Sequence, residues 1–189
     1  HKGKKYLFTT DLKTFFPAIS YVQIHSMFVQ LGYKPHFAHW LTKFSSFRFE
    51  LPQGTPTSTY VANLVFLPTD LKIIEFCDQN DITYTRYVDD LTFSSQKDFS
   101  HLLNSLLEIV TNSGKFKINH RKTFYQAHQS VTGVIIHPNY ITAPTHIKLK
   151  AATEMENQSE TKPFTIYKNN IHKMNPKYKS RKQLKDSAQ

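Results

Sequence analysis

The run from Ile82 to Ser95 constrains the fold most. Ile82-Thr83-Tyr84-Thr85-Arg86-Tyr87 and Leu91-Thr92-Phe93-Ser94 are rich in alternating aromatic and β-branched residues, the pattern of half-buried strands. Two strands joined this closely form a hairpin, and Val88, Asp89 and Asp90 fall at its turn. On a straight strand, neighbouring side chains leave opposite faces. At a tight turn they can converge. Converging carboxylates repel each other, and a divalent cation relieves the repulsion. An Asp pair at a turn is also often just solvated, so the pair alone leaves both readings open.

The rest of the chain supplies a frame for that hairpin. Residues 5–10 read as a strand that delivers Asp11 at its end. Residues 22–31 look helical, and Gly32 can terminate them. Phe37, Trp40, Leu41 and Phe44 recur at helical spacing and predict a second amphipathic helix. Ser58 opens a helix carrying Val61, Leu64 and Val65, expected to be perturbed near Pro68 and to resume through Cys77. Phe99, Leu102, Leu103, Leu106, Leu107 and Val110 form the clearest helical stripe. Residues 116–119 and 131–137 read as strands, and Asn139-Tyr140 as a turn into another. The order strand, helices, hairpin, helix, strand is a βαββαβ pattern: an α+β fold with a small antiparallel sheet backed by helices. In it the strand ending at Asp11 lies beside the hairpin, and three carboxylates meet at one edge.

Three converging Asp are hard to explain structurally and fit oxygen-liganded Mg2+, which keeps positions open for phosphates. Ahead of the helix at Ser58 lies Leu51-Pro52-Gln53-Gly54-Thr55-Pro56-Thr57. Gly54 permits close backbone approach to a flat ligand, Gln53 offers an amide, and a following helix N-terminus favours anions. His36 and His39 could pair on a metal, but no Cys or acid stands near them, and exposed or packed histidines are the expectation. Cys77 reads as a buried helix residue.

The formal charge is +10, and the Lys148-to-Gln189 segment holds ten Lys or Arg against four acids. A polyanionic partner such as nucleic acid and a merely solubilising tail explain that charge equally well. One Cys excludes an internal disulfide and fits a reducing cytosol. No apolar run is long enough to span a bilayer, so no membrane partner is expected. The chain opens at His1-Lys2-Gly3 and reads as a piece of something longer.

Three segments in order carry a family resemblance: Asp11-Leu12-Lys13-Thr14-Phe15-Phe16-Pro17-Ala18-Ile19, the 51–58 loop with Asn63, and Tyr84 through Ser94 around Tyr87-Val88-Asp89-Asp90. They resemble motifs A, B and C of the reverse transcriptase palm, and the bacterial retron branch is most similar. His1 resembles the last residue of the retron Asn-Ala-x-x-His element, and Lys2-Gly3-Lys4-Lys5-Tyr6-Leu7 resembles its continuation towards motif A. Val131-Thr132-Gly133 resembles the retron Val-Thr-Gly triplet. Val88 and Thr55 depart from the Ala usual in retrons at both positions. Other reverse transcriptases tolerate such changes, so the subclass rather than the polymerase chemistry is affected.

The resemblance implies a ferredoxin-like palm over residues 1–144 and the start of a short basic thumb over 145–189, with the fingers largely missing. A chain without fingers is expected to fall short of an active enzyme on its own. The implied activity is RNA-directed DNA polymerisation: nucleotidyl transfer of dNMP to a primer hydroxyl using two Mg2+ ions, with Mn2+ able to substitute. Asp11, Asp89 and Asp90 would bind the metals, and Lys122 would protonate pyrophosphate, although a surface lysine is an equal reading. Leu12, Phe16, Gln53 and Gly54 would meet the nucleotide, with Phe16 as the gate against ribose and Phe15 in the core. Residues 131–138, including Val131, Thr132 and Gly133, would form the primer grip and help recognise structured RNA.

Implied partners are an RNA template, a DNA or RNA primer, dNTP, a structured noncoding RNA copied into msDNA, and an effector protein. The implied setting is the bacterial cytoplasm and phage defence. Three alternatives stay open: a group II intron-like or other defence-associated reverse transcriptase, a catalytically idle RNA-binding palm, and an RNA-templated RNA polymerase. Phe16 discriminates against the last.

Overall fold

In the computed structural model, which describes residues 1–114, 116–126, 129–137, 140–157 and 161–175, the first element is strand β1 (Tyr6–Lys13). Leu7, Phe8, Thr10, Asp11 and Leu12 are all buried, as expected of a strand with neighbours on both sides and cover on both faces. Asp11 therefore lies inside the strand, not at its end. The strand continues because Leu12 and Lys13 pair with Ile118 and Lys117.

A one-turn helix α1 (Phe15–Ala18) leads to α2 (Tyr21–Gln30). The start of α2 is set by a capping box. The Gln23 side-chain oxygen accepts from the Ser20 N–H at 2.9 Å, and the Gln23 N–H donates to the Ser20 hydroxyl at 3.4 Å. Gly32 follows the helix at φ +93°. Helix α3 (Pro35–Ser45) packs against α2, but not through its aromatic stripe. Ala38 and Thr42 are its buried residues, while Phe37, Trp40 and Phe44 are exposed and Leu41 is half-buried. Small residues allow close approach of the helix backbone, and the expected apolar face turns to solvent.

Helix α4 (Ser58–Gln79) runs unbroken for 22 residues through Pro68. The expected perturbation does not interrupt it. Pro68 is exposed, so the carbonyl it leaves without an N–H partner is on the wet side of the helix. The buried side carries Val61, Ala62, Phe66, Thr69, Ile73 and Cys77. Burial pushes the Cys77 thiol up to about 12, helped by neighbouring Asp78.

Strands β2 (Thr83–Tyr87) and β3 (Asp90–Ser95) form the expected hairpin, with Tyr87 opposite Asp90. Val88 and Asp89 are thus the two turn residues, and Asp90 is already in the strand. After a 3-10 turn at Ser100–Leu102, α5 (Leu103–Asn112) buries Leu106 and Val110. Strand β4 (Lys117–Ile118), a 3-10 turn (His120–Lys122) and β5 (Phe124–Gln126) follow. The sheet order is β2-β3-β1-β4, with β5 also on β1. The first strand lies between the hairpin and β4, which is the arrangement the βαββαβ pattern requires. Phe15, Phe66 and Phe116 meet in the core with ring centroids 4.9–5.6 Å apart.

The chain divides into two compact units, Phe8–Tyr125 and a second made of His1–Leu7 with Gln126 onward. The second contains β6 (Gln129–Val131), β7 (Val134–Ile136), β8 (Ile141–Thr142), α6 (Thr145–Glu156) and α7 (Pro163–Lys173). Residues 131–137, expected as one strand, fold back instead as the β6–β7 hairpin. The break comes at Thr132 and Gly133, whose φ values are +43° and +82°. Two successive left-handed residues suit a two-residue hairpin loop. Asn175 holds β8 to the end of α7, accepting from the Ile141 N–H at 2.7 Å and donating to its carbonyl at 2.9 Å. Pro138, Asn139 and the basic residues from position 176 onward lie outside the described residues.

Gly133 is needed for two reasons at once. A Cβ there would sit 2.8 Å from the Tyr167 hydroxyl, which donates to the Gly133 carbonyl at 3.0 Å. Gly133→Ala is expected to cost about 1–2 kcal/mol, from left-handed strain and displacement of Tyr167. Urea unfolding of the two forms measures it; an unchanged midpoint would show that the turn adapts freely.

Candidate active site

Asp11 reaches the site from β1, Asp89 from the β2–β3 turn and Asp90 from the first position of β3. One carboxylate oxygen of each lies within 4.8 Å of the others. The turn is tied to the strand by the Leu12 N–H, which donates to the Asp89 carbonyl at 2.9 Å. Asp11 is buried, Asp89 half-buried and Asp90 exposed at the rim. Partial burial, followed by the charges of Asp89 and Asp11, holds the Asp90 carboxyl above its ordinary range. The donor set is all oxygen and acidic, open on one side, and short of counter-charge. Those properties fit a hard divalent cation.

The buried carboxylate of Asp11 is held on both oxygens. Asn119 Nδ2 donates to Oδ1 at 3.0 Å, and Lys122 Nζ to Oδ2 at 2.9 Å. The Asn119 N–H also donates to the Asp11 carbonyl at 2.8 Å. Lys122 is 63% exposed along its side chain and extends from the 3-10 turn after β4. The bond to Asp11 raises its pKa, so it stays protonated beside the cluster. Of its two sequence readings, the structure brings Lys122 to the Asp cluster. Asn119 carries no motif of its own in the sequence; its place beside Lys122 in the same short segment was the only available signal.

Phe15 is buried and Phe16 half-buried, with ring centroids 5.7 Å apart in α1. Only Phe16 has surface left for a ligand. Leu12 is only 1% exposed, and its N–H is already given to the Asp89 carbonyl, so the residue presents almost no surface to a nucleotide. Gln53 and Gly54 are exposed in the turn before α4. Gly54 has φ +91°, with nothing within 4 Å of where a Cβ would stand. The loop is tied down beneath them by Ser58, whose hydroxyl donates to the Pro52 carbonyl at 2.5 Å. Val131, Thr132 and Gly133 belong to the second unit, at the tip of the β6–β7 hairpin. His36 and His39 are both exposed; His39 Nδ1 lies 2.6 Å from the Tyr21 hydroxyl, and Trp40 Nε1 donates to His36 Nε2 at 3.4 Å. Among the described residues, the one acidic, His or Cys cluster that could hold a metal is Asp11, Asp89 and Asp90. No described helix is long and apolar enough to cross a membrane.

The chain is 34% identical over 141 residues to the retron Ec86 reverse transcriptase of Escherichia coli, covering 72% of the chain and 44% of that protein. It is 29% identical over 184 residues to the retron Mx65 reverse transcriptase of Myxococcus xanthus, covering 85% and 43%. The chain thus spans less than half the length of these relatives. In fold it is similar to telomerase from Candida albicans, solved with a fragment of telomeric RNA, at TM-score 0.60 and 10% identity over 80% of the chain and 35% of that one. Telomerase from Candida tropicalis gives 0.56 and 12%, over 74% and 35%. The likeness is one of fold, an antiparallel sheet with helices of the palm type. The model of the reverse transcriptase (RNA-dependent DNA polymerase) family matches residues 1–164, and the chain belongs to that family.

Proposed function

We propose that this chain is the catalytic palm of a retron-type RNA-directed DNA polymerase. The observation that carries the reading is the convergence of Asp11, Asp89 and Asp90 within 4.8 Å on adjoining strands. In the reaction, the primer 3′-oxygen forms a bond to the α-phosphorus of a dNTP and loses its proton. The bond from that phosphorus to pyrophosphate breaks, and the pyrophosphate takes up a proton. Asp11, Asp89 and Asp90 would hold two divalent cations, Mg2+ or Mn2+, whose chemistry is to acidify the hydroxyl and neutralise the leaving charge.

The remaining work falls to the chain itself, and in phosphoryl transfer it is chiefly positioning and electrostatics. The Asp11 carboxylate is oriented by Asn119 and Lys122. Lys122, protonated and exposed, is the group that can give a proton to pyrophosphate. Gln53 and Gly54 offer an amide and an unobstructed backbone to the nucleotide. Val131, Thr132 and Gly133 serve as primer grip and as a contact for structured RNA. The charge of +10 suits a template–primer duplex. Residues 1–144 would be the palm and residues 145–189 the start of the thumb. From the retron resemblance the reading extends to msDNA synthesis in the bacterial cytoplasm, an effector partner and phage defence.

The test is extension of a primer on an RNA template by the protein that carries this chain, with the triad variant described in the Discussion as control. Failure to extend with dNTP under any divalent cation would count against the reading. Phe16 tests the sugar. Phe16→Ala is expected to raise ribonucleotide incorporation on the order of tenfold or more, because the ring no longer crowds the 2′-hydroxyl. Unchanged rejection of ribonucleotides by that variant would remove Phe16 from the gate.

A further inference from the structure

The turn that carries Asp89 is conformationally unfavourable. Val88 has φ +57°, a region that β-branched residues rarely enter. Something must hold it there. One restraint is the Leu12 N–H on the Asp89 carbonyl. The other comes from the opposite side, through Arg86.

Helix α4 presents Asn63, Phe66 and Asp70 at i, i+3 and i+7, one stripe of the helix. Arg86 from β2 lies along that stripe. Its Nε donates to both Asp70 oxygens, at 2.9 and 3.1 Å, and its Nη2 donates to Oδ2. Its Nη1 donates to Asn63 Oδ1 at 2.9 Å and to the Val88 carbonyl at 2.8 Å. The guanidinium carbon is 4.8 Å from the centre of the Phe66 ring. Tyr84 adds a hydrogen bond to Asp70 Oδ1 at 2.7 Å. The Arg86 and Asp70 side chains are only 9% and 14% exposed. A planar fork fixed on one edge by a carboxylate and stacked on a ring has one rotamer to offer. Its remaining edge therefore delivers an N–H to a fixed point, the Val88 carbonyl.

We propose that Arg86, locked by Asp70 and Asn63 of α4, is a positioning residue that clamps the Val88 carbonyl and so holds the strained turn in the one conformation that converges Asp89 and Asp90 on Asp11. It touches neither substrate nor metal. The proposal rests on reading the Asp cluster as a divalent-cation site, and the experiment separates the two.

The experiment titrates Mn2+ into the protein and follows free Mn2+ by EPR, with circular dichroism and thermal unfolding as controls on the fold. Wild type is compared with Asp89→Asn, Arg86→Gln, Val88→Gly and the Arg86→Gln/Val88→Gly double variant. Arg86→Gln should weaken Mn2+ binding on the order of tenfold, the usual scale for a residue that orients ligands from behind, with circular dichroism unchanged. In the Val88→Gly background, glycine occupies positive φ without strain, and the Arg86→Gln loss should shrink to about threefold or less. Should Arg86→Gln fail to fold, Arg86→Lys keeps a cation beside Asp70 without the fork and makes the same comparison. A folded Arg86 variant with wild-type Mn2+ affinity overturns the clamp while leaving the site intact, provided Asp89→Asn abolishes binding. An equal loss in both Val88 backgrounds also overturns it, since Arg86 would then act other than through the turn. Wild-type protein with no Asp89-dependent Mn2+ binding overturns the site and the clamp together.

Discussion

Asp89→Asn is expected to reduce primer extension on the order of a thousandfold or more, several kcal/mol of barrier, because one of three charges that would hold the metal ions is removed. The substitution is nearly isosteric. The Asp89 main-chain carbonyl, which accepts from Leu12, is untouched, so the turn keeps its place. Folding should not suffer. In chelator the variant should melt at or above the wild-type temperature, since burial and then the Asp89 charge hold the Asp90 carboxyl high, and the second of these is gone when its neighbour is neutral. Extension rates and melting curves in excess EDTA measure the two halves. Extension within about tenfold of wild type would exclude Asp89 from a metal-binding role of this kind.

Asp70→Ala is expected to give the largest loss of stability. Asp70 neutralises a guanidinium whose side chain is only 9% exposed, and it accepts from Tyr84 as well. Burial works against the Arg86 charge, and the bonds to Asp70 more than offset it, leaving the pKa raised. Removing the carboxylate strands the cation and a tyrosine hydroxyl. The cost is about 3 kcal/mol, or a fall in Tm of about 6–12 °C for a chain of this size. Asp70→Ala/Arg86→Met should recover part of it, because an apolar pair has no charge to desolvate. Calorimetry of the three forms measures this; a fall of less than about 2 °C for Asp70→Ala would mean that water reaches Arg86 freely.

Arg86 and Asp70 show where local reading ends. Arg86 stands within the Tyr84–Ser94 motif, yet in sequence it is one more polar residue of a strand. Its partners lie 16 and 23 residues away, on a helix whose rotation about its axis decides that Asn63 and Asp70 face β2. The α3 stripe failed for a related reason. Periodicity identified the helix, but the small residues Ala38 and Thr42 set which face packs. Residues 131–137 misled because Thr132 takes a left-handed conformation that Thr seldom adopts, so nothing before Gly133 signals the turn.

Lys122 and Asn119 show the longest reach. They act on Asp11 from 111 and 108 residues away. Only the sheet order, with β4 next to β1, brings them there.

By itself the sequence determined the β2–β3 hairpin with its Asp pair, the order of the main strands and helices from β1 to β4, and the three motifs that mark the family. These follow from side-chain periodicity and turn chemistry, which act over a few residues. The tertiary structure alone decided which oxygens converge, what holds the Asp11 carboxylate in place, and what keeps Val88 at positive φ. Those outcomes depend on strand order and helix rotation, set by the packing of the whole core and not by any local run of residues.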